Sequence, residues 1–341
     1  MKVLQVIDRL NVGGAERVCI DISNLLINEN IDISVLTILE KGELFSFLDA
    51  RIETFCLERK SKFNIKTIKK MVSILNNFDI IHIHMRHVYR YVKFSSLFYK
   101  LSCKIILHDH FGSIAFDKTI PLFMNNLLKP KFYIGVSNEL VNWAEEKLKI
   151  PETYLLENIV VKNNSNSIKK ETNTIVHVSN ISPIKNQLFS IKLIEKTSYD
   201  LVIYGKIKDA NYYNYLKKYV CTNNLENRVS FIHNENNIQN VLGNFKLGLM
   251  TSVSESGPLI LIEYLAQSLP FVANKTGQVA NILNNELPFF VDDFNLDKWL
   301  DKIAQVIDYD TTNLQDYYYK YFNPSVYTNK CIEIYKRIEN Y

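Results

Sequence analysis

The chain has 341 residues, 47% hydrophobic and 22% charged, a globular composition with a length that suits two domains of ordinary size. Its formal net charge of +4 is mild and dispersed, which fits weak attraction to anionic substrates or an anionic membrane surface and excludes nucleic acid as the expected partner. The cysteines (Cys19, Cys56, Cys103, Cys221, Cys331) are scattered without a close pair, so they are expected as small core residues of a reducing compartment. Asp8 and Arg9 interrupt MKVLQV before a signal-peptide core develops, and no apolar run approaches the ~20 residues that span a bilayer, so a cytoplasmic protein is expected.

Residues 2–7 form a short apolar strand, and residues 14–26 have helical spacing through Val18, Ile22, Leu25 and Leu26. Strands follow at 32–39 and 52–57, a lysine-rich helix at 66–75, a strand at 80–84, a helix at 88–101, and strands at 104–108 and 132–136. Residues 138–147 begin as a helix capped by Ser137 or Asn138. This alternation predicts a parallel sheet with helices on both faces. The polar stretch VKNNSNSIKKETN, residues 161–173, reads as a linker. Beyond it the alternation restarts, with strands at 174–178, 201–204, 229–232, 247–250 and 271–273. A last helix spans 324–337, with Pro324 in its first turn. The expected fold class is α/β, with two doubly wound Rossmann-like domains at residues 1–162 and 163–322 and a terminal helix at 323–341.

Ligands of open parallel sheets bind beyond the carboxyl ends of the strands, so polar residues there carry the functional reading. Gly13 and Gly14, in DRLNVGGAER, open a helix where a backbone can approach an anion, although the dinucleotide spacing GxGxxG is absent. Histidines gather at two strand ends, His82, His84 and His87 in IIHIHMRH and His108 and His110 in ILHDHFG. One of each strand pair is expected to face helices and the other the cleft. No carboxylate or cysteine partners are arranged around them as zinc would require, so no metal site is expected. Lys185, in VSNISPIKNQ, lies where a cation reaches a phosphate at a helix start, and Gly205 marks another strand end. In SVSESGPLILIEYLAQSLPFV, a helix begins near Pro258, with Glu255 just before it and Glu263 inside it. Its first amides and dipole suit a diphosphate, and a carboxylate can accept from a ribose diol.

Several stretches together resemble the retaining glycosyltransferases of family 4, which have the GT-B fold. SESGPLILIEYLAQSLPFVANKTGQVA is similar to that family's nucleotide-sugar motif, whose two glutamates are separated by seven residues, as Glu255 and Glu263 are. VIDRLNVGGAERV resembles its N-terminal glycine loop, VSNISPIKNQ its phosphate-contacting turn, and YFNPSVYTNKCIEIYKRI its terminal helix, which crosses back onto the N-terminal domain. The resemblance implies two domains facing each other across a cleft, an acceptor side at 1–162 and a donor side at 163–322. It implies that Glu263 holds the ribose and Glu255 the donor sugar. Lys185 and the stretch Ser256, Gly257, Pro258, Leu259 and Ile260 would meet the diphosphate, with Gly13 and Gly14 facing it and Gly205 near it. A histidine contacts the donor sugar in that family, and His110 is favoured over His108 here. Asn180 stands where the family carries an arginine, for which Arg9, Arg17 or Lys206 would substitute, and Ser256 intervenes between Glu255 and Gly257.

The activity implied is transfer of a sugar from a nucleoside-diphosphate sugar to a hydroxyl acceptor, a glycan or lipid-linked saccharide, with retention of configuration and without metal or other cofactor. The acceptor is expected near residues 82–90 and 110–116. ERKSKFNIKTIKK and VKFSSLFYK are expected to rest against an anionic membrane at its inner face. The competing readings are a GT-B phosphorylase or epimerase and a non-catalytic nucleotide-sugar-binding subunit. Asp308-Tyr-Asp310 is read as helix surface rather than as a metal-binding D-x-D motif.

Overall fold

The computed structural model describes residues 1–124, 128–163 and 173–341, so residues 164–172 of the expected linker lie outside the described residues. Contacts divide the chain into two units, Met1–Ile159 together with Pro324–Tyr341, and Val160–Asn323. The first unit carries β1 (Lys2–Ile7), α1 (Gly14–Asn28), β2 (Asp32–Thr37), β3 (Glu53–Cys56), α2 (Ile65–Leu75), β4 (Ile80–His84), α3 (Arg86–Ser95), β5 (Lys104–Asp109), β6 (Phe132–Gly135), α4 (Asn138–Glu146) and β7 (Glu152–Leu155). Its seven strands are ordered β3-β2-β1-β4-β5-β6-β7, all parallel. The central strands are mostly apolar because helices cover both faces, and all of β4 is buried although it carries His82 and His84. Ser137 caps α4 by accepting from the Leu140 amide at 3.3 Å, which satisfies one of the donors a helix start leaves over.

The second unit repeats the plan. It contains β8 (Thr174–Val178), α5 (Gln187–Glu195), β9 (Asp200–Tyr204), α6 (Ala210–Thr222), β10 (Val229–Ile232), α7 (Gln239–Leu242), β11 (Leu247–Met250), α8 (Leu259–Ala266), β12 (Phe271–Asn274), α9 (Gln278–Leu283), β13 (Phe290–Val291), α10 (Leu296–Val306) and α11 (Leu314–Tyr321). Its six strands are ordered β10-β9-β8-β11-β12-β13, again parallel. The last helix, α12 (Pro324–Glu339), belongs to the first unit, where it packs on α1.

The structure corrects several local expectations. The edge strands β7 and β13 were not anticipated, because strands of four and two residues carry too little periodicity to register. The helix expected at 88–101 ends at Ser95. Asp308 and Asp310 lie in the turn after α10, outside any helix. Of the cysteines, Cys19 and Cys331 are buried, but Cys56 and Cys103 are half-buried and Cys221 is exposed.

Candidate active site

In the second unit, β8 and β11 are neighbours at the point where the strand order reverses, which opens a crevice beyond their carboxyl ends. Two loops leave there, residues 179–186 after β8 and residues 251–258 after β11, and they are tied together. The Val253 amide donates to the Ile184 carbonyl at 2.8 Å, and the Lys185 ammonium pairs with the Glu255 carboxylate at 2.5 Å. Beneath them, the Thr251 hydroxyl reaches the Asn186 carbonyl at 2.9 Å and the Ser190 hydroxyl at 3.1 Å. Ser190 in turn contacts His177 Nδ1 at 2.8 Å, and His177 Nε2 lies 2.8 Å from Ser179 Oγ. Burial, helped by the Lys185 charge, holds the His177 imidazole down at about 3, so it serves as a neutral strut under the loops.

Pro258 precedes α8 with φ of −67°, the angle its ring imposes, and the first-turn amides of Leu259 and Ile260 have no acceptor within the helix. Ser256, Gly257, Pro258 and Ile260 are buried, and Glu255, Leu259 and Glu263 are half-buried. The helix sits tightly on its sheet: a Cβ on Gly248 would lie 2.5 Å from the Tyr264 ring, and the Tyr264 hydroxyl donates to the Leu249 carbonyl at 3.3 Å. Gly205 has φ of +149°, and a Cβ there would run into the carbonyl oxygen of Ser179. It is the close approach of two strand ends that requires glycine at this position.

Sequence reasoning included the loop after β12 in the nucleotide-sugar motif but gave its residues no role. Gly277, at φ of +83°, faces Glu255 and Pro258, where a Cβ would lie 2.9 Å from Pro258 Cδ. The Gln278 amide donates to the Ser256 carbonyl at 2.7 Å, the Glu255 amide to Thr276 Oγ1 at 3.2 Å, and Asn274 Nδ2 to the Ser252 carbonyl at 2.8 Å. ANKTGQVA therefore holds the Glu255 loop in shape. Its turn glycine was the available signal. His177, inside an apolar strand, had no signal beyond its residue type.

In the first unit, β4 and β5 pair in parallel with His84 beside His108. The expected division of each histidine pair between two faces is wrong: residues two apart on a strand point to the same side. His82 and His84 stack at 4.8 Å and 10°, and His108 and His110 lie 4.2 Å apart, so the four rings form one array. His82, His84 and His108 are fully buried, and His110 keeps some solvent contact. Desolvation pushes all four imidazoles far below their ordinary 6.5, His82 and His110 to about 3. Three of the rings, His82, His84 and His108, place ring nitrogens within 4.8 Å of one another, a spacing open to a metal ion. Every nitrogen of those three except His108 Nε2 already holds a hydrogen bond.

Between His108 and His110, the last residue of β5, Asp109, points the other way. It accepts from Arg86 Nε and from the Tyr133 hydroxyl, each at 2.7 Å, while the Arg86 guanidinium lies over Phe111 and Trp143. Met85, joining β4 to α3, has φ of +74°, a strained angle for a residue with a side chain. Gly13 caps α1 in extended conformation with φ of −176°, and exposed Gly14 begins that helix. His87 Nε2 lies 3.1 Å from the Asp8 carboxylate, just past the end of β1.

Residues 161–321 match the family described as glycosyl transferases group 1. The chain is 21% identical over 266 residues to N-acetyl-alpha-D-glucosaminyl L-malate synthase of Bacillus anthracis, covering 70% of this chain and 68% of that protein. It is 24% identical over 294 residues to the amylovoran biosynthesis glycosyltransferase AmsD of Erwinia amylovora, covering 80% of each. The chain carries a group 1 glycosyl transferase domain, at residues 161–321, within a GT-B fold. Its fold is similar to that of Anabaena Alr3699/HepE, solved in complex with UDP and glucose, with a TM-score of 0.80 at 17% identity over 98% of this chain and 99% of that one.

Two of the three cations named as substitutes for the missing arginine have other partners. Arg9 pairs with Glu40 at 2.8 Å and Arg17 with Asp21 at 3.5 Å. Asn180 itself accepts from the Lys206 amide at 3.3 Å, so it ties two loops together. A cavity of about 600 Å³ lined by Lys246, Gln267, Pro270 and Asp308 opens at the amino ends of β8, β11 and β12, the edge away from the loops described above. Among the described residues, no helix is long and apolar enough to cross a membrane.

Proposed function

We propose that the enzyme transfers a sugar from a nucleoside-diphosphate sugar to a hydroxyl of a glycan or lipid-linked saccharide, with retention of anomeric configuration. The observation that carries this reading is the joined pair of loops at the β8–β11 crevice, where Lys185, Glu255 and the start of α8 meet. The reaction needs a stabilised leaving group more than a strong base. Lys185 and the positive end of α8 supply that stabilisation to the departing diphosphate without a metal ion. For Lys185 to serve the phosphate, donor binding must draw its ammonium from Glu255, which frees that carboxylate to accept from hydroxyls of the sugar. Glu263 accepts from the ribose diol, and His110 contacts the donor sugar. The solved neighbour carrying UDP-glucose supports UDP-sugars as the first donors to test, and the relative named for amylovoran biosynthesis supports a polysaccharide product. Phe63 and Ile65, 76% and 63% exposed among Lys60, Lys62, Lys66 and Lys69, support peripheral contact with an anionic membrane.

A thermal-shift screen against nucleoside-diphosphate sugars tests the donor site. One nucleotide class raises the melting temperature of the wild type, and saturation at a hundred times Kd is worth about 2.7 kcal/mol. Glu263→Ala loses most of that shift. Equal stabilisation of both proteins rules out the ribose role of Glu263.

A further inference from the structure

The four imidazoles, Gln5 and Tyr335 form one hydrogen-bonded circuit with two open ends. Gln5 joins its halves: its amide nitrogen donates to the Tyr335 hydroxyl at 3.0 Å, and its carbonyl oxygen lies 2.8 Å from His84 Nε2. A carbonyl oxygen only accepts, so His84 carries its proton on Nε2 and leaves Nδ1 bare. His84 Nδ1 lies 3.1 Å from His110 Nε2, which must then be the protonated nitrogen of His110. His110 Nδ1 is therefore bare, and it is buried without a partner.

The other half follows from Tyr335. Its oxygen accepts from Gln5 and also meets the Cys331 thiol, which burial keeps protonated; imidazole nitrogen is a stronger acceptor than thiol sulfur, so the Tyr335 proton goes to His82 Nδ1 at 2.6 Å. His82 then holds its proton on Nε2 and gives it to His108 Nδ1 at 2.9 Å. His108 Nε2 is left as an N–H, also buried without a partner. Each donor in the circuit thus serves the next group in a single direction, from His110 through His84, Gln5, Tyr335 and His82 to His108. The row ends in one donor and begins in one acceptor, on rings whose centroids lie 4.2 Å apart.

We propose that these two nitrogens form a binding site for a single hydroxyl-type oxygen, which accepts from His108 Nε2–H and donates to His110 Nδ1. A hydroxyl suits both ends because it is donor and acceptor at once; a carboxylate or carbonyl oxygen could satisfy only His108, and an ammonium only His110. Burial of all four rings in the neutral form keeps the direction of the circuit from being scrambled by an added proton. Two sources supply that oxygen, an internal water or a hydroxyl of the donor sugar, and the second rests on the reading in which His110 faces the sugar. Gln5, His84, His82 and Tyr335 are then positioning residues that set which end gives and which end receives.

Two measurements test the site. Long-range 1H–15N spectra of the histidine-labelled protein report each tautomer, and all four rings are expected as Nε2–H with bare Nδ1. A proton on Nδ1 of any of them, as an inverted Gln5 amide would produce, overturns the assignment. High-resolution crystal structures of the free protein, its UDP complex and its UDP-glucose complex then identify the oxygen. One reaching both nitrogens in the free and UDP-bound protein is water; one that appears or is replaced only with UDP-glucose is a sugar hydroxyl. Absence of such an oxygen from all three structures overturns the site. A water that stays in place while UDP-glucose binds with its sugar elsewhere supports the site and rejects only the donor-facing role of His110.

Discussion

Gly205 and Gly13 both stand at sites where glycine reads as functional, yet the backbone treats them differently. Gly205 is held at φ of +149° with its missing Cβ aimed at the Ser179 carbonyl. Gly13 is extended, and a Cβ there would meet only the flexible carboxylate of Glu16. Gly205→Ala is expected to cost roughly 2 kcal/mol or more, from strain and collision together. Gly13→Ala is expected to cost about 1 kcal/mol or less, the usual scale of a helix-cap change. Chemical denaturation of the two variants checks this, and equal losses would show that the Ser179 contact relaxes freely. Lys185 and Glu255 carry a parallel lesson. Their positions beyond two strands were legible in the chain, because a strand followed by a polar turn and a helix is a local pattern. That they pair with each other was not legible, since it depends on β8 and β11 becoming neighbours.

At the scale of elements, helix α2 presents Ile68, Met71, Val72 and Leu75 to the core and keeps Ile65 and its lysines outside, with Phe63 exposed in the turn before it. An exposed phenylalanine and isoleucine ringed by lysines gain apolar and electrostatic attraction at an anionic bilayer, roughly 1 kcal/mol per basic residue near the surface. Flotation with anionic liposomes at low salt is expected to carry the wild type, and Phe63→Ser with Ile65→Ser is expected to float several-fold less. A wild type that stays in the soluble fraction removes the membrane contact from the proposal. The strands and helices with clear periodicity were legible. The short edge strands β7 and β13 were not, because their pairing with β6 and β12 forms them more than their own residues do.

The whole molecule carries five histidines whose imidazoles stay neutral, the buried His82, His84 and His108 with the half-buried His110 in one unit and the buried His177 in the other. Desolvation lowers their folded-state pKa values, whereas the unfolded chain takes up protons as pH falls through the ordinary 6.5. Stability is therefore fully present above about pH 6.5 and is lost on acidification toward the depressed values near 3. Each fully buried ring contributes up to ~1.4 kcal/mol per pH unit within that window. The melting temperature should fall between pH 7.5 and 5.5, with calorimetry in buffers of different ionisation enthalpy registering net proton uptake on unfolding. No uptake at pH 5.5 would mean that the rings are already protonated in the folded protein.

The chain by itself determined the two parallel α/β units, because apolar periodicity and polar strand ends are written within a few residues of each other. It also carried the ordered motifs that mark a glycosyltransferase. Only the tertiary structure decided that four histidines form one array on one face, that Tyr335 of the last helix closes it from 253 residues beyond His82, and that Gly277 supports the loop of Glu255. Those facts depend on which strands lie side by side and where a distant helix docks, and contacts of that kind leave no period in the sequence to read.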